Sequence, residues 1–370
     1  MTENIIFLGA GASAAEGAPA QTDLLGCYFR TVAKEPDLRL PLATMNQELA
    51  IFFQQMFGVD TGTCDATTVF PTFEEALGFV ELALQRGEQF RGFGDQPNLP
   101  QLQRIRKHLS QTIAFTLDRT LKDAGKLHRA LVESLAAAGE LRQTAFVSTN
   151  YDILIDNAVA GWQERAGMVG QVNYAVSFSN YTHSQYLPEG FRWPVPDPSR
   201  AVLLLKPHGS LNWLYCATCT ALTLTPSIKG ATSVAVDPER YRCPVCTGLT
   251  TPIIVPPTFF KAMSNFHLQQ VWRAAEACLM EARRLVFCGY SLADADIHVK
   301  YLLKRIEVNR NYTPEVIIIN NYRESGGSAK SEKSKAEERA RYLRLFRDPR
   351  KVRYTDLTFQ EFSSRGFAAL

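Results

Sequence analysis

The chain has 370 residues, 46% of them hydrophobic and 11% aromatic, which is enough to bury a sizeable core and excludes disordered and fibrous classes. Its length predicts two to three domains. Forty basic and 37 acidic residues leave a formal +3, too weak a field to argue for nucleic acid. A local +5 between Lys330 and Lys351 reads most simply as a solvated charged face, or else as a contact for a partner.

In chain order, the opening MTENIIFLGAGASA carries Glu3 and no early Lys or Arg, so no secretory leader is expected. No run approaches the ~18 to 20 apolar residues of a membrane span, and the expected location is cytoplasmic. Asn4 to Leu8 reads as a short buried strand ending at Gly9. The turn Gly9-Ala10-Gly11-Ala12-Ser13-Ala14 then leads into a helix. Glycines there let backbone N–H groups approach a pyrophosphate, and the helix N-terminus favours the anion. A glycine-rich tight turn with no ligand fits the same residues. A dinucleotide dehydrogenase would end its second strand in Asp or Glu about 20 residues on. Leu25-Gly26-Cys27-Tyr28-Phe29-Arg30 offers no such acid, so hydride transfer loses ground while dinucleotide binding stands.

From Cys27 to about Arg142 the pattern is mostly helical. Thr72 with Glu75 forms a capping box, followed by Leu77, Val80 and Leu84 at helical spacing. Further helices are expected near Leu102 to Leu121 and Lys126 to Ala138, with a break at Gly92 to Pro100. Strand-like runs return at Thr144 to Ser148, Ala201 to Leu205, Ile253 to Val255, Leu285 to Cys288 and Val316 to Ile319. Helical patterns over Val271 to Arg284 and Ile297 to Ile306 separate several of them. Short apolar strands alternating with helices predict an α/β fold, a parallel sheet with helices on both faces. The expected domains are 1–26 plus 143–207 plus 253–370 for the sheet, 27–142 for a helical insertion, and 208–252 for a small zinc-ribbon lobe. Ser325 to Arg341 is polar, and Phe359 to Phe367 is apolar enough to dock.

Two polar clusters follow strands. Ser148-Thr149-Asn150-Tyr151-Asp152 follows the run at Thr144, and Lys206-Pro207-His208-Gly209-Ser210 follows Val202 to Leu205. Ligands of open α/β sheets bind beyond the carboxyl ends of the strands. A neutral imidazole is a natural base near pH 7, and an asparagine offers donors and an acceptor without charge. Alternatively, Asn150 or Asp152 caps the helix that begins near Ile153. His108, His128, His183, His267 and His298 have no comparable setting and read as structural or surface residues. Cys216-Ala-Thr-Cys219 and Cys243-Pro-Val-Cys246 are two CxxC knuckles. They suit a closed tetrahedral zinc site that holds a small lobe together, with disulfides or free thiols as the other readings.

GAGAS with Gly17 and Pro19, then STNYD, then HGSLNW leading into CATC…CPVC, then GYSL and IINN, stand in an order that resembles the sirtuin family. The resemblance covers residues 5–26 and about 144–324. It implies NAD bound in a Rossmann-like domain beside a zinc ribbon formed by Cys216, Cys219, Cys243 and Cys246. It further implies that Gly9, Ala10, Gly11 and Ser13 line the pyrophosphate and adjacent ribose. Asn150 and Asp152 would contact the nicotinamide ribose and carboxamide, His208 would be the catalytic histidine, and Gly289, Ser291 and Asn320 would meet the nucleotide. Two departures from deacylating members stand out. Gly17-Ala18-Pro19 continues into Ala20-Gln21-Thr22-Asp23 rather than an acidic-Phe-Arg segment, and Ile253-Ile254-Val255 runs into Pro256 and Pro257. Those prolines lack the N–H that a peptide added as a strand needs.

The chain thus looks more like the bacterial sirtuin-like NAD hydrolases of anti-phage defence. The expectation is an NAD+ glycohydrolase with catalytic Asn150 and His208, NAD as substrate and zinc as a structural ion. A deacylase or mono-ADP-ribosyltransferase, and a non-catalytic NAD or ADP-ribose sensor, are the alternatives. Such an enzyme needs gating, by the helical insertion or the basic segment. The resemblance implies a homo-oligomer, with a HerA-type ATPase or an Argonaute as the partner in some relatives.

Overall fold

Five consecutive buried residues, Asn4–Leu8 (β1), form the middle of a parallel sheet, because a strand covered on both faces has no polar side to alternate with. The computed structural model describes residues 2–91, 99–167, 172–179, 197, 201–225, 229–239, 241–255, 265–294, 296–321 and 332–370. Among these, the other strands are Thr144–Ser148 (β2), Val172–Asn173 (β3), Val202–Leu205 (β4), Gly209–Cys216 (β5), Leu222–Leu224 (β6), Thr250–Ile254 (β7), Arg284–Cys288 (β8), Glu315–Asn321 (β9) and Val352–Thr358 (β10). Between β1 and β2 the described residues form the helices Ala10–Ala14 (α1), Leu24–Arg30 (α2), Pro36–Arg39 (α3), Ala43–Phe57 (α4), Phe73–Arg86 (α5) and Leu99–Thr120 (α6). Another, Lys126–Ala137 (α7), leads into β2. Leu154–Arg165 (α8), Gly230–Val236 (α9), Phe266–Glu281 (α10), Ile297–Arg310 (α11), Glu332–Leu345 (α12) and Phe359–Arg365 (α13) follow.

The large sheet has the order β10-β9-β8-β1-β2-β4-β3, and every pairing in it is parallel. Helices cover both faces: α7, α8 and α13 pack together as one layer, and α10 packs on α11 in another. After β1 the chain steps towards β2, whereas after β8 it steps the other way to β9. A crevice therefore opens at the carboxyl ends of β1 and β8, the place where open α/β sheets take ligands.

Ile253 to Val255, expected in the large sheet, instead lies at the end of β7 in a three-stranded antiparallel sheet, β6-β5-β7. A run of three apolar residues specifies burial but not a partner strand. This small sheet shares the main core through Trp213, Leu222, Leu224 and Ile253. The helical insertion has a second core of its own, running from Leu24 to Phe115 and including Phe52, Phe53 and Phe73. Helix α7, although inside the span expected to be insertion, packs Leu131, Val132 and Leu135 into the main core.

The capping box of Thr72 and Glu75 starts α5, and an equivalent pair, Thr358 and Glu361, starts α13. Helix α13 then docks Phe359 and Phe362 against the main core. Glu16, just past α1, receives the backbone N–H groups of Gly125 at 2.5 Å and His128 at 3.0 Å, and lies 2.6 Å from His128 Nδ1. Burial would raise its pKa, but these donors outweigh it and hold the carboxyl at about 2. Among the described residues no helix is long and apolar enough to cross a membrane. Residues 92–98 of the expected break, His183 and residues 322–331 lie outside the described residues.

Candidate active site

The loops after β1 and β8 meet backbone to backbone. Gly11 N–H donates to Gly289 O at 2.8 Å, and Gly9 N–H to Cys288 O at 3.0 Å. A Cβ on Gly9 would lie 2.6 Å from Gly289 O. Gly289 has φ +62°, and a Cβ there would lie 2.1 Å from Ala12 N. Both glycines are thus required by this close approach itself.

On this base the polar side chains interlock. Ser13, buried in α1, donates to Asp152 Oδ2 at 2.6 Å. Asn150 Nδ2 donates to Gly9 O and to Ser13 Oγ, both at 2.8 Å. Asp152 Oδ1 accepts from Leu154 N–H at 3.0 Å, so Asp152 meets one free donor at the start of α8, and Asn150 turns to the glycine loop instead. The loop after β2 is therefore tied to the turn after β1.

His208 stands at the corner between β4 and β5 and is 3% exposed. The corner is sharp because Gly209 adopts φ +83°, and a Cβ at that position would lie 2.0 Å from Ile253 O. Val255 N–H donates to His208 O at 2.9 Å, and Trp272 Nε1 to Pro207 O at 3.1 Å, which fixes the main chain on both sides of the imidazole.

These groups surround one cavity of about 150 Å³. Of the residues expected at the site, Ala10, Ser13, Asn150, Asp152, His208, Gly289 and Ser291 line it. Gly9 and Gly11 support the wall through the contacts above. Asn320 lies elsewhere: it is 1% exposed, and its amide meets Tyr290 O at 3.4 Å and the Glu338 carboxylate of α12. Arg341 of α12 donates to Ser291 O at 3.0 Å, bracing the same loop from behind.

The insertion supplies the opposite wall through Phe73, Glu74, Ile113 and Leu117. Gln21 Nε2 donates to Glu74 Oε1 at 2.5 Å. Tyr151 also lines the cavity and donates to Val255 O at 2.5 Å. Burial, with the Asp296 and Glu74 carboxylates adding to it, pushes the Tyr151 phenol well up and keeps it a donor. Tyr290, likewise raised by burial and by Asp296, donates to Asp296 Oδ2 at 2.9 Å. Tyr151, Glu74 and Gln21 were not among the expected site residues: Glu74 reaches the cavity from the insertion only through a tertiary contact, and Tyr151 stood in the STNYD cluster without a role.

The four cysteines of the knuckles converge. Their sulfurs all lie within 4.8 Å of one another, with Cys216–Cys246 and Cys219–Cys243 each at 3.5 Å. Zn–S bonds of 2.3 Å in a tetrahedron place sulfurs about 3.8 Å apart, whereas a disulfide needs about 2.0 Å. The cluster therefore fits zinc. With all four positions taken by Cys216, Cys219, Cys243 and Cys246, the ion would cross-link the small sheet and would not activate water.

A family model described as a SIR2-like domain matches residues 144–345. No curated protein matches the sequence significantly. Solved structures of sirtuins resemble the chain. One, described as Sir2 with a p53 peptide and NAD+, is 12% identical with a TM-score of 0.40, covering 98% of this chain and 91% of that one. Another, described as the structural basis for the mechanism and regulation of Sir2 enzymes, is 14% identical with a TM-score of 0.38, covering 100% and 92%.

Proposed function

Because the chain belongs to the SIR2-like domain family, we propose that it is an NAD+ glycohydrolase, which transfers the ADP-ribosyl group of NAD+ to water. The observation that carries this reading is the convergence of Asn150, Ser13, Asp152 and His208 on one cavity at the carboxyl ends of the strands. In the reaction the bond between ribose C1′ and the pyridinium nitrogen breaks, and nicotinamide leaves neutral with the bonding pair. Water forms the new bond to C1′, and its proton passes to the His208 imidazole and then to solvent. Asn150 spends its Nδ2 donors on Gly9 and Ser13, so its Oδ1 is the end that orients the water or a ribose hydroxyl. The Ser13–Asp152 bond keeps that carboxamide in place.

Water is the acceptor favoured by the surroundings of the cavity. Helix α6 packs on α9, which packs on β5, and Ala114, Leu211 and Ala231 are buried together where the insertion meets the small sheet. The Val255 amide and carbonyl are already taken by His208 O and Tyr151 Oη, so that residue has no main-chain group to offer an added peptide strand. Pro256 and Pro257, the sequence reason for the same expectation, lie outside the described residues. The STNYD and PHGSLNW resemblance supports a role as an NAD-depleting effector of anti-phage defence, acting as a homo-oligomer.

Incubation with NAD+ alone tests the reaction. Nicotinamide release without any acylated peptide is expected, and release only when such a peptide is added would replace the hydrolase by a deacylase. Asn150→Ala and His208→Ala should each lower the rate by about 10²- to 10⁴-fold while zinc content stays at the wild-type value and the chain remains folded. Full activity in both variants overturns the assignment.

A further inference from the structure

Lys206 has no exposed surface, although it sits in the two-residue step between β4 and His208. A buried ammonium persists only where a carboxylate and hydrogen-bond acceptors replace its water. Its Nζ lies 3.0 Å from Asp156 Oδ2, in the first turn of α8, and also donates to the main-chain carbonyl of Asp152. Asp156, 3% exposed, receives the Tyr174 hydroxyl on its other oxygen at 2.9 Å. One cation thus joins the corner that carries His208 to the loop that carries Asn150. An apolar side chain of similar length would fill the space with less desolvation, so the charge itself calls for an explanation.

We propose that Lys206 is a positioning residue: its ammonium, anchored on Asp156, holds the Asp152 carbonyl and so keeps Asn150 and His208 facing the same cavity. Lys206 is not among the cavity's lining residues and acts through these two side chains. The kinetic part of this inference rests on the hydrolase reading; the conformational part does not.

The test uses the full chain with Lys206→Met, Asp156→Asn and the double variant. Each single change leaves a buried group without its counterpart and lowers the melting temperature. The double change removes both charges and returns most of that loss. Hydrogen exchange over residues 149–153 and nicotinamide release from NAD+ are then compared with wild type. The double variant should exchange faster over 149–153 and show kcat lower by up to about 10²-fold, with KM changed much less, as a displaced reacting group requires. A merely structural ion pair would instead recover exchange and kcat together with melting temperature. Wild-type exchange in the double variant overturns the proposal, as does wild-type kcat despite faster exchange. Lys206→Arg, which keeps the charge but moves the donors, is read in the same way if the double variant does not fold. If the wild-type chain itself releases no nicotinamide, the hydrolase reading fails on its own, and the exchange comparison alone decides the role of Lys206.

Discussion

At single positions, a glycine beside the cavity differs from a glycine elsewhere in what a methyl group would strike. Gly87 ends α5 at φ +66° with nothing near its would-be Cβ, so Gly87→Ala should cost only the left-handed penalty, about 1–2 kcal/mol, and leave NAD turnover unchanged. Gly209→Ala adds a clash with the Ile253 carbonyl at 2.0 Å, which is main chain and cannot rotate away. It should lower the melting temperature more than Gly87→Ala does and abolish nicotinamide release by displacing His208. Equal melting temperatures in the two variants would refute this account. The sequence made Asn150, Asp152 and His208 legible because they stand within a few residues of an apolar run, where a parallel sheet exposes its strand ends, while Ser13 was implied by the family resemblance. It could not reveal Lys206, Asp156 or Glu74. Their importance comes from partners 50 or more positions away along the chain; nothing near Asp156 or Glu74 sets them apart, and Lys206 shows only as a member of the polar cluster after β4.

Among the elements, those that are uniformly buried were the readable ones. β1 and β2 each consist of five buried residues, and their boundaries coincide with their apolar runs. β10, Val352–Thr358, is an edge strand of half-buried and exposed residues apart from the buried Thr358, and the charged sequence VRYTDLT gives no period to read. β5 was visible only as a motif, since HGSLNW combines polar residues with buried ones. Helix starts carry a titratable signature as well. Glu16 closes the N-terminus of α7 with its carboxyl held at about 2, below its ordinary 4.5. A lowered folded-state pKa means its stabilisation is fully present above about pH 4.5 and is lost as the pH falls towards 2. Glu16→Gln should therefore cost about 1.5–3 kcal/mol near neutrality and flatten the acid limb of the stability curve between those two values, as followed by denaturant titration. An unchanged acid limb would show that the capping carboxylate is not responsible.

For the molecule as a whole, the described residues form two large and separate cores. The small sheet shares Trp213 and Ile253 with the main core, so its cysteine cluster is coupled to the large sheet. One zinc per chain is expected by elemental analysis. Cys216→Ser or chelation should lower the main unfolding transition and also slow nicotinamide release, because β5 begins directly after His208. A metal-free chain with unaltered melting and turnover would remove zinc from the account. The insertion, with its own core from Leu24 to Phe115, should show hydrogen-exchange protection that varies independently of the sheet.

The pocket has a floor from the sheet and a roof from this separately cored insertion. Under the proposed hydrolase reading, admission and cleavage are therefore written in different stretches of chain. A graft exchanging the roof for that of a relative should, on that reading, alter admission to the chamber while leaving Asn150 and His208 in place.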